Sequence, residues 1–250
     1  MANFKTHAAV GMVTSGMIAT LTLAANIVPP HDLVTLALAG ALGAILPDID
    51  LENSRASQVM FSGLALFFAF AFLFNISWKY SIAEMWIIWV GTFIVIRFGG
   101  HKVFHKYTRH RGIFHSIIAG FFFAFATTCV YSHVFGSDAT LAWLAGIFVF
   151  IGVLSHLILD EIYSVDFHGN RIKRSFGTAL KLYDGRAPAA SLSMVAACAL
   201  ALAIAPAAGP FLTIVGSDVV WAVLQDRMLP EGSWFGFIAG MDRLAFAVMP

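Results

Sequence analysis

Charged residues are scarce in this chain, and their scarcity excludes a soluble globular domain. Asp, Glu, Lys and Arg make up 12% of its 250 residues, whereas soluble domains carry about 25%. Hydrophobic residues reach 59%, and several uncharged runs approach or exceed the roughly 20 residues that span a bilayer. The composition therefore predicts an all-α fold, a polytopic transmembrane helix bundle.

Cysteine is scarce as well, and the chain shows no repeat of fixed period. Its two cysteines, Cys129 and Cys198, both lie in apolar runs, which predicts buried thiols rather than a disulfide. The net charge of +1 gives no sign of nucleic-acid binding, and we expect no nucleic-acid partner.

Apolar runs and helix-breaking residues divide the chain into seven segments. A membrane domain over residues 1–186 is expected to contain six spans: Ala8–Val28, Leu33–Leu46, Ala56–Trp78, Tyr80–Gly99, Gly112–Phe135 and Ala139–Leu159. Residues 187–250 add the apolar segment Ala187–Val215 and a mixed C-terminal tail. Pro206 and Pro210 interrupt that segment and predict a kink or a re-entrant hairpin. The bundle is therefore expected to have six to seven spans.

Positive charge is concentrated in two of the connecting loops. Residues 97–111 and residues 161–186 each hold five Lys or Arg, whereas Asp138 is the only charge between the fifth and sixth spans. The positive-inside rule places both basic loops in the cytoplasm. Counting back along the chain places residues 47–55 and the N-terminus there too. We therefore expect a multi-pass membrane protein with a cytoplasmic N-terminus.

Seven acids and histidines lie at the ends of apolar runs on the predicted cytoplasmic face. An unpaired charge at the edge of the hydrocarbon costs roughly 2.5 kcal/mol or more, so such a residue is a functional-site candidate. The seven candidates are His7, Asp48, Asp50, His110, His115, His156 and Asp160. Their shared face makes a metal-centred hydrolytic site the leading interpretation.

The motif His156-Leu-Ile-Leu-Asp160 is the sharpest of the local patterns. Residues four apart lie on one helix face, so this imidazole and carboxylate could bind one metal ion, or the acid could orient the histidine. The alternative is a polar helix end at which Asp160 only caps the helix or faces water.

Asp48 and Asp50 follow an apolar run in the sequence Leu46-Pro47-Asp48-Ile49-Asp50. In an extended or turn backbone, carboxylates two residues apart can point to the same side. Such a pair suits a hard divalent ion or a two-metal bridge. The alternative is an ordinary charged loop after a helix.

The segment from His110 to Ser116 supplies two imidazoles, a guanidinium and a glycine where the fifth span begins. If a helix starts near Gly112, its free N–H groups and dipole favour an anion. Arg111 could hold a phosphate with two hydrogen bonds, and Ser116 could donate to the same anion or begin the helix. The alternative is a basic collar that contacts lipid headgroups, but it does not explain His115 inside the apolar run.

His7 is a ligand candidate because it shares a face with the other candidates. A lone terminal histidine is more often an interface residue. His101 and His105 are also four residues apart and are rival ligands. They rank lower because they lie in the basic loop.

In chain order these motifs resemble the YdjM-like family of bacterial inner-membrane proteins, which are described as metal-dependent hydrolases, some of the LexA-regulated type. The resemblance covers roughly residues 1–165. It rests on His7 with Gly11, Leu46–Asp50, His110-Arg111-Gly112 with His115-Ser116, and His156-Leu-Ile-Leu-Asp160. The family usually has Thr where this chain has Phe114. The resemblance implies a protein of the bacterial inner (cytoplasmic) membrane. It also implies a divalent-metal site, in which imidazoles favour zinc and carboxylates allow manganese or magnesium.

The expected reaction is hydrolysis of a phosphoester in a lipid or lipid-linked substrate, with membrane lipids as partners, because a site at this depth meets headgroups. His110 is expected to be a ligand or a general acid, Arg111 to stabilise the anionic transition state, and Ser116 is a third catalytic candidate. The expected metal ligands are His7, Asp48, Asp50, His115, His156 and Asp160.

Two other function classes remain open. A metal-ion or proton transporter requires polar residues through the middles of the spans, where this chain is almost wholly apolar. A non-catalytic membrane scaffold or regulator would hold a structural metal, whose site is closed, whereas a catalytic site keeps an open position. The sequence does not separate the scaffold from the hydrolase, and it leaves the oligomeric state open.

Overall fold

The computed structural model describes residues 3–76, 80–108, 112–166, 171–172, 177 and 180–229. The helices in these residues are α1 (Phe4–Ala24), α2 (Pro30–Gly43), α3 (Arg55–Ile76), α4 (Ile82–Ile94), α5 (His101–Tyr107), α6 (Ile117–Cys129), α7 (Ala139–Ile162), α8 (Pro188–Ile204), α9 (Gly209–Val215) and α10 (Asp218–Asp226). A 3-10 turn, Leu46–Asp50, follows α2, and π-helical turns extend α4 over Val95–Gly100 and α6 over Val130–Val134. Two short strands, β1 (Val165–Asp166) and β2 (Arg171–Ile172), pair antiparallel. The predicted all-α bundle is confirmed.

Four of the described helices are long and apolar enough to cross a membrane: Phe4–Ala24, Ile82–Lys106, Ile117–Val134 and Ala139–Ile162. Helices α8 and α9 make a fifth span if this pair, bent by 88°, counts as one. The bend lies at the predicted proline interruption. A shorter apolar helix, Arg55–Phe70, lies within α3 where the third span was predicted, and α2 lies where the second was predicted. Neither is a candidate span, so the predicted six to seven spans are corrected to four or five among the described residues.

Helix α7 is the central helix of the bundle. It packs against α1, α2, α6 and α9, and its Phe148 is buried together with Leu36 of α2 and Phe211 of α9. By contrast, Trp86 and Ile87 of α4 are highly exposed, as expected of side chains that face lipid rather than protein. Because α7 is enclosed by its neighbours, polar groups near its C-terminal end are removed from solvent.

Glycines allow α1 and α7 to approach α2 closely near the end of that helix. A Cβ atom on Gly11 would overlap the side chain of Ala44, and one on Gly152 would overlap a backbone carbonyl oxygen of α2. His7 precedes Gly11 by one helical turn, and His156 follows Gly152 by one turn. The two close contacts therefore bring both histidines to the C-terminal end of α2.

Helix α5 lies beside the 3-10 turn and the start of α3. The Nε2 atom of His105 lies 2.8 Å from Oγ of Ser57 in α3, and Nε2 of His101 lies 3.2 Å from the carbonyl oxygen of Glu52. These contacts attach α5 to the end of the bundle where the acids and histidines lie.

Candidate metal centre

Four separate segments bring polar side chains together at one end of the bundle. His7 lies near the start of α1, Asp48 in the 3-10 turn, His115 just before α6, and His156 and Asp160 near the end of α7. The three histidines and Asp160 are each exposed by 1% or less, whereas the side chain of Asp48 is 15% exposed. The predicted common face of these five residues is therefore also found in the structure.

His156 occupies the middle of the cluster. Its Nδ1 atom lies 2.7 Å from the carbonyl oxygen of Ala44, so its Nε2 atom is directed to the carboxylates. Nε2 lies 3.7 Å from Oδ1 of Asp48 and 3.9 Å from Oδ2 of Asp160. The ring of His7 stacks on the ring of His156 with centroids 3.7 Å apart, and Nε2 of His7 lies 3.3 Å from Oδ1 of Asp160.

His115 lies between two carboxylates. Its Nε2 atom is 3.5 Å from Oδ1 of Asp48, and its Nδ1 atom is 3.5 Å from Oδ2 of Asp50. Its ring centroid lies 5.4 Å from that of His156. The Nε2 edge of His115 therefore faces the centre of the cluster, and the Nδ1 edge faces away from it.

The contact between His115 and Asp48 shifts the pKa values of both residues. Burial by itself lowers the pKa of His115, but the contacts with Asp48 and Asp50 outweigh it and raise the pKa to about 9. Burial raises the pKa of Asp48, whereas the contact with His115 and the charges of the neighbouring histidines lower it by more, so that it lies below its ordinary value. Without a metal, His115 and Asp48 therefore form an imidazolium–carboxylate pair at neutral pH.

Two overlapping groups of side chains could hold a metal ion: His7, His156 and Asp160, and Asp48, His115 and His156. Within each group the ligand atoms lie within 4.8 Å of one another. Two ligands on a tetrahedral zinc ion are about 3.4 Å apart, given zinc–ligand bonds of about 2.1 Å. Several of the observed pairs are close to that spacing, and the donors are imidazoles and carboxylates, which zinc accepts.

The Nε2 atom of His156 gives an independent test of the fit. This atom is buried and makes no hydrogen bond with any part of the chain that the structure describes. Buried polar atoms nearly always have a partner, and each exception requires an explanation. A metal ion bound to Nε2 would supply that partner, so the residues present fit a metal.

Asp50 is placed differently from the other five residues predicted to bind metal. Within the described ranges it belongs to neither group of ligand atoms. Its carboxylate contacts Nδ1 of His115 instead, on the edge of the ring opposite Asp48.

The prediction that a helix starts near Gly112 is wrong, because α6 begins at Ile117 and Ser116 is its N-cap. The Ser116 hydroxyl accepts a hydrogen bond from the N–H of Ala119 and donates one to the carbonyl oxygen of Ile113. Ser116 therefore has the second of its two predicted roles, that of a helix-start residue.

The N-terminus of α6 is occupied by the protein itself. The N–H groups of Ile117 and Ile118 donate to the carbonyl oxygens of Lys181 and Leu182, at 2.9 Å and 3.2 Å, and Ala119 donates to Ser116. The first three N–H groups of the helix are thus already used. The anion site predicted at this helix start is not supported by the observed backbone.

The remaining predicted residues divide into two sets. His110 and Arg111 lie outside the described residues, so their roles stay predictions. The rival ligands His101 and His105 lie nearby but bond to Glu52 and Ser57, and neither belongs to a ligand group among the residues described.

The apolar helices and the buried histidines and aspartates define a multi-pass membrane protein with a candidate metal site. Residues 1–204 match the family model of the YdjM inner membrane protein. Because the match extends over most of the chain, the protein belongs to that inner-membrane family, and the match reaches the end of α8. A search of curated proteins and a search of solved structures found no match.

Proposed function

We propose that this protein is a membrane-embedded, metal-dependent hydrolase of a phosphoester in a lipid or lipid-linked substrate. The observation that carries the proposal is the buried Nε2 atom of His156, surrounded by two other imidazoles and two carboxylates. A divalent ion bound there would activate water and polarise a phosphoryl oxygen. We further propose that the site faces the cytoplasm, as the charge of the loops indicates.

The shared histidine favours one metal ion per chain. An imidazole nitrogen has a single lone pair, and Nδ1 of His156 is engaged by Ala44. His156 can therefore ligate only one ion at a time. The two ligand groups are then best read as five donors around one ion, rather than as two complete sites.

The donor set supports zinc more than the alternatives. Three of the five side chains are imidazoles, which suit zinc, whereas manganese and magnesium prefer sites built from oxygen ligands. Manganese or magnesium remain the alternatives because Asp48 and Asp160 supply two carboxylates. Asp48 is the most exposed of the five donors, so we place the approach of water and substrate on its side.

The choice of a lipid phosphoester is supported by location and by the family resemblance. The site lies at the ends of α1, α6 and α7, which are candidate membrane spans, and in the proposed arrangement these ends would meet the lipid headgroups. The adjoining residues His110 and Arg111 are proposed as general acid or ligand and as anion binder, respectively, from their sequence positions alone.

A direct test measures metal content and activity on the same purified protein. The full chain, monodisperse in detergent, would be assayed for bound metals and then against water-soluble phosphoesters and phospholipids. We expect close to one equivalent of zinc and a phosphoesterase activity that chelation abolishes and zinc restores. Activity that survives complete removal of metal would contradict a metal-dependent mechanism.

One observation favours a second candidate, a membrane scaffold with a structural metal. Four of the five ligand side chains are almost fully buried, and structural zinc sites are closed. Cobalt substitution distinguishes the two. An open position predicts that inorganic phosphate changes the visible spectrum of the cobalt protein, whereas a closed structural site predicts an unchanged spectrum and no hydrolysis.

The transporter alternative has less support. Buried hydroxyls within the spans bond to their own helices: Thr22 donates to the carbonyl oxygen of Ala19, and Thr128 to that of Ala124. Such local hydrogen bonds do not form a path through the bundle.

A further inference from the structure

Asp50 contacts His115 at Nδ1, on the edge of the ring that faces away from the candidate metal centre. It ends the 3-10 turn and is 4% exposed. Its Oδ2 atom lies 3.5 Å from Nδ1 of His115, while Asp48 lies at the same distance from Nε2 of that ring. One imidazole thus lies between two carboxylates from a single short turn, and only Asp48 is on the side of the other ligand atoms.

The two nitrogens of a neutral imidazole have different tasks. If Nε2 of His115 binds an ion, Nδ1 must carry the proton, and that proton requires an acceptor. Asp50 is in position to be that acceptor. His156 has the same arrangement, with the carbonyl oxygen of Ala44 as the acceptor for its Nδ1 proton.

The turn that carries both aspartates is tied to the start of α3. The hydroxyl of Ser54 donates to the carbonyl oxygen of Asp48 at 2.9 Å, and the N–H of Ser57 donates to the Ser54 hydroxyl at 2.9 Å. The hydroxyl of Ser57 in turn contacts His105 of α5. These contacts hold the turn, so that the position of the Asp50 carboxylate is determined by more than its contact with His115.

We propose that Asp50 is a positioning residue, which holds the proton of His115 on Nδ1 and thereby presents Nε2 to the ion without binding the ion itself. This inference rests on the metal site of the proposed function. It differs from the interpretation of the two aspartates as a pair of ligands, because it assigns them to opposite edges of one ring.

Two substitutions at each aspartate separate an orienting role from ligation. Asn keeps a carbonyl oxygen that can accept the Nδ1 proton, whereas an amide is a poor substitute for a carboxylate bound to zinc. We therefore expect Asp50→Ala to weaken zinc binding by about 10–100-fold, the range typical of lost partners of ligating histidines, and Asp50→Asn to keep most of the affinity. At Asp48 both Asn and Ala should cause a similar, larger loss. Asp32→Asn, at the other end of α2, is the matched control and should bind zinc like the wild type.

Zinc affinity would be measured on the purified full chain in detergent, by competition with a chelator of known affinity. A spectroscopic readout would use protein labelled with 15N-histidine and loaded with 113Cd. Coupling between cadmium and Nε2 of His115 is expected in the wild type and in Asp50→Asn, and it should be lost or move to Nδ1 in Asp50→Ala. If Asp50→Ala does not give monodisperse protein, Asp50→Asn decides alone. Coupling to Nε2 of His115 with most of the affinity kept supports the positioning role, and loss of either contradicts it.

The outcomes are distinguishable. Equal losses of affinity in Asp50→Asn and Asp50→Ala would make Asp50 a ligand, and wild-type affinity in Asp50→Ala would show that its contact orients nothing. Either result overturns the positioning role but leaves the metal site intact. A wild-type protein that binds neither zinc nor cadmium would overturn the proposed function, and the positioning role with it.

Discussion

The Nδ1 atom of His156 lies 2.7 Å from the carbonyl oxygen of Ala44, the C-cap of α2. A carbonyl oxygen only accepts, so Nδ1 must donate the proton, and in the neutral ring, the form that binds a metal, Nε2 keeps its lone pair. Nε2 is also the atom that both candidate ligand groups share. This contact between α2 and α7 therefore sets the chemical state of the central ligand.

Removal of either polar residue at the end of α7 should remove the metal. We expect His156→Ala and Asp160→Ala each to lose most of the bound metal under stringent washing, because each supplies a ligand atom. The helix should persist, since Ala is the best helix former. Metal stoichiometry on detergent-purified protein measures the effect.

Ser155→Ala is the control for this pair. Ser155 precedes His156, and its hydroxyl donates to the carbonyl oxygen of Gly152, so its loss should leave metal content unchanged. Equal metal in the wild type and both α7 variants, or none in the wild type after growth with added metal, would leave the scaffold interpretation in front.

Gly152→Ala should disturb the site from a distance. The added methyl group would overlap the carbonyl oxygen of Gly40, so α2 and α7 must separate, and overpacking of this kind costs about 1–3 kcal/mol. Because the separation moves Ala44 away from His156, we expect a lower thermal midpoint for the metal-free protein and a weaker affinity for zinc.

Gly16→Ala makes the same chemical change on α1, where a Cβ atom meets nothing within 4 Å. It should be neutral or slightly stabilising, since Ala is favoured over Gly within a helix. Identical thermal midpoints for the two alanine variants would show that the close contact of α2 and α7 carries no strain on substitution.

Much of the fold could be predicted because the spans are long apolar runs with clear ends. Asp138 illustrates this, since its carboxylate accepts hydrogen bonds from Thr140 and Leu141 and α7 starts at Ala139 as predicted. The predicted start of α6 is too early, because it relies on Gly112 as the beginning of the helix. Ser116 directly before an apolar run is the better signal, since serine is a favoured N-cap residue.

That these histidines and aspartates lie together could also be predicted, because such residues at the ends of apolar runs are costly unless they pair with one another or bind a ligand. Their pairing could not be. Which nitrogen of His156 is free depends on a backbone carbonyl at Ala44, and backbone atoms have no sequence signal. The opposite roles that we infer for Asp48 and Asp50 likewise depend on where the ring of His115 lies between them. The glycines are the sequence signal that points to this packing. Gly152 lies four residues before His156, and Gly11 lies four residues after His7, so each histidine is one helical turn from a glycine that contacts α2.

Metal affinity should depend on pH through His115. Its pKa is raised to about 9 in the metal-free protein, so at neutral pH Nε2 holds a proton that the metal must displace. Asp48, whose pKa is lowered, is already ionised and releases none. The affinity for the metal should therefore rise with pH, by about tenfold per pH unit for one displaced proton, and level off as the pH approaches 9. Competition titrations between about pH 7 and about pH 8.5 measure the slope. A flat profile over this range would mean that metal binding displaces no proton from His115.

The orientation of the bundle can be tested with single cysteines at its two ends. Ser137 lies between the π-helical extension of α6 and the start of α7, at the end away from the ligand cluster, and Leu180 lies just before Lys181, whose carbonyl oxygen contacts the start of α6 beside His115. In a background with alanine at both native cysteines, Ser137→Cys should react with an impermeant maleimide in intact spheroplasts. Leu180→Cys should react only after permeabilisation, because the proposed orientation keeps the basic loop of residues 161–186 in the cytoplasm. The reverse labelling pattern would place the metal centre on the outer face of the membrane and exclude a cytoplasmic substrate.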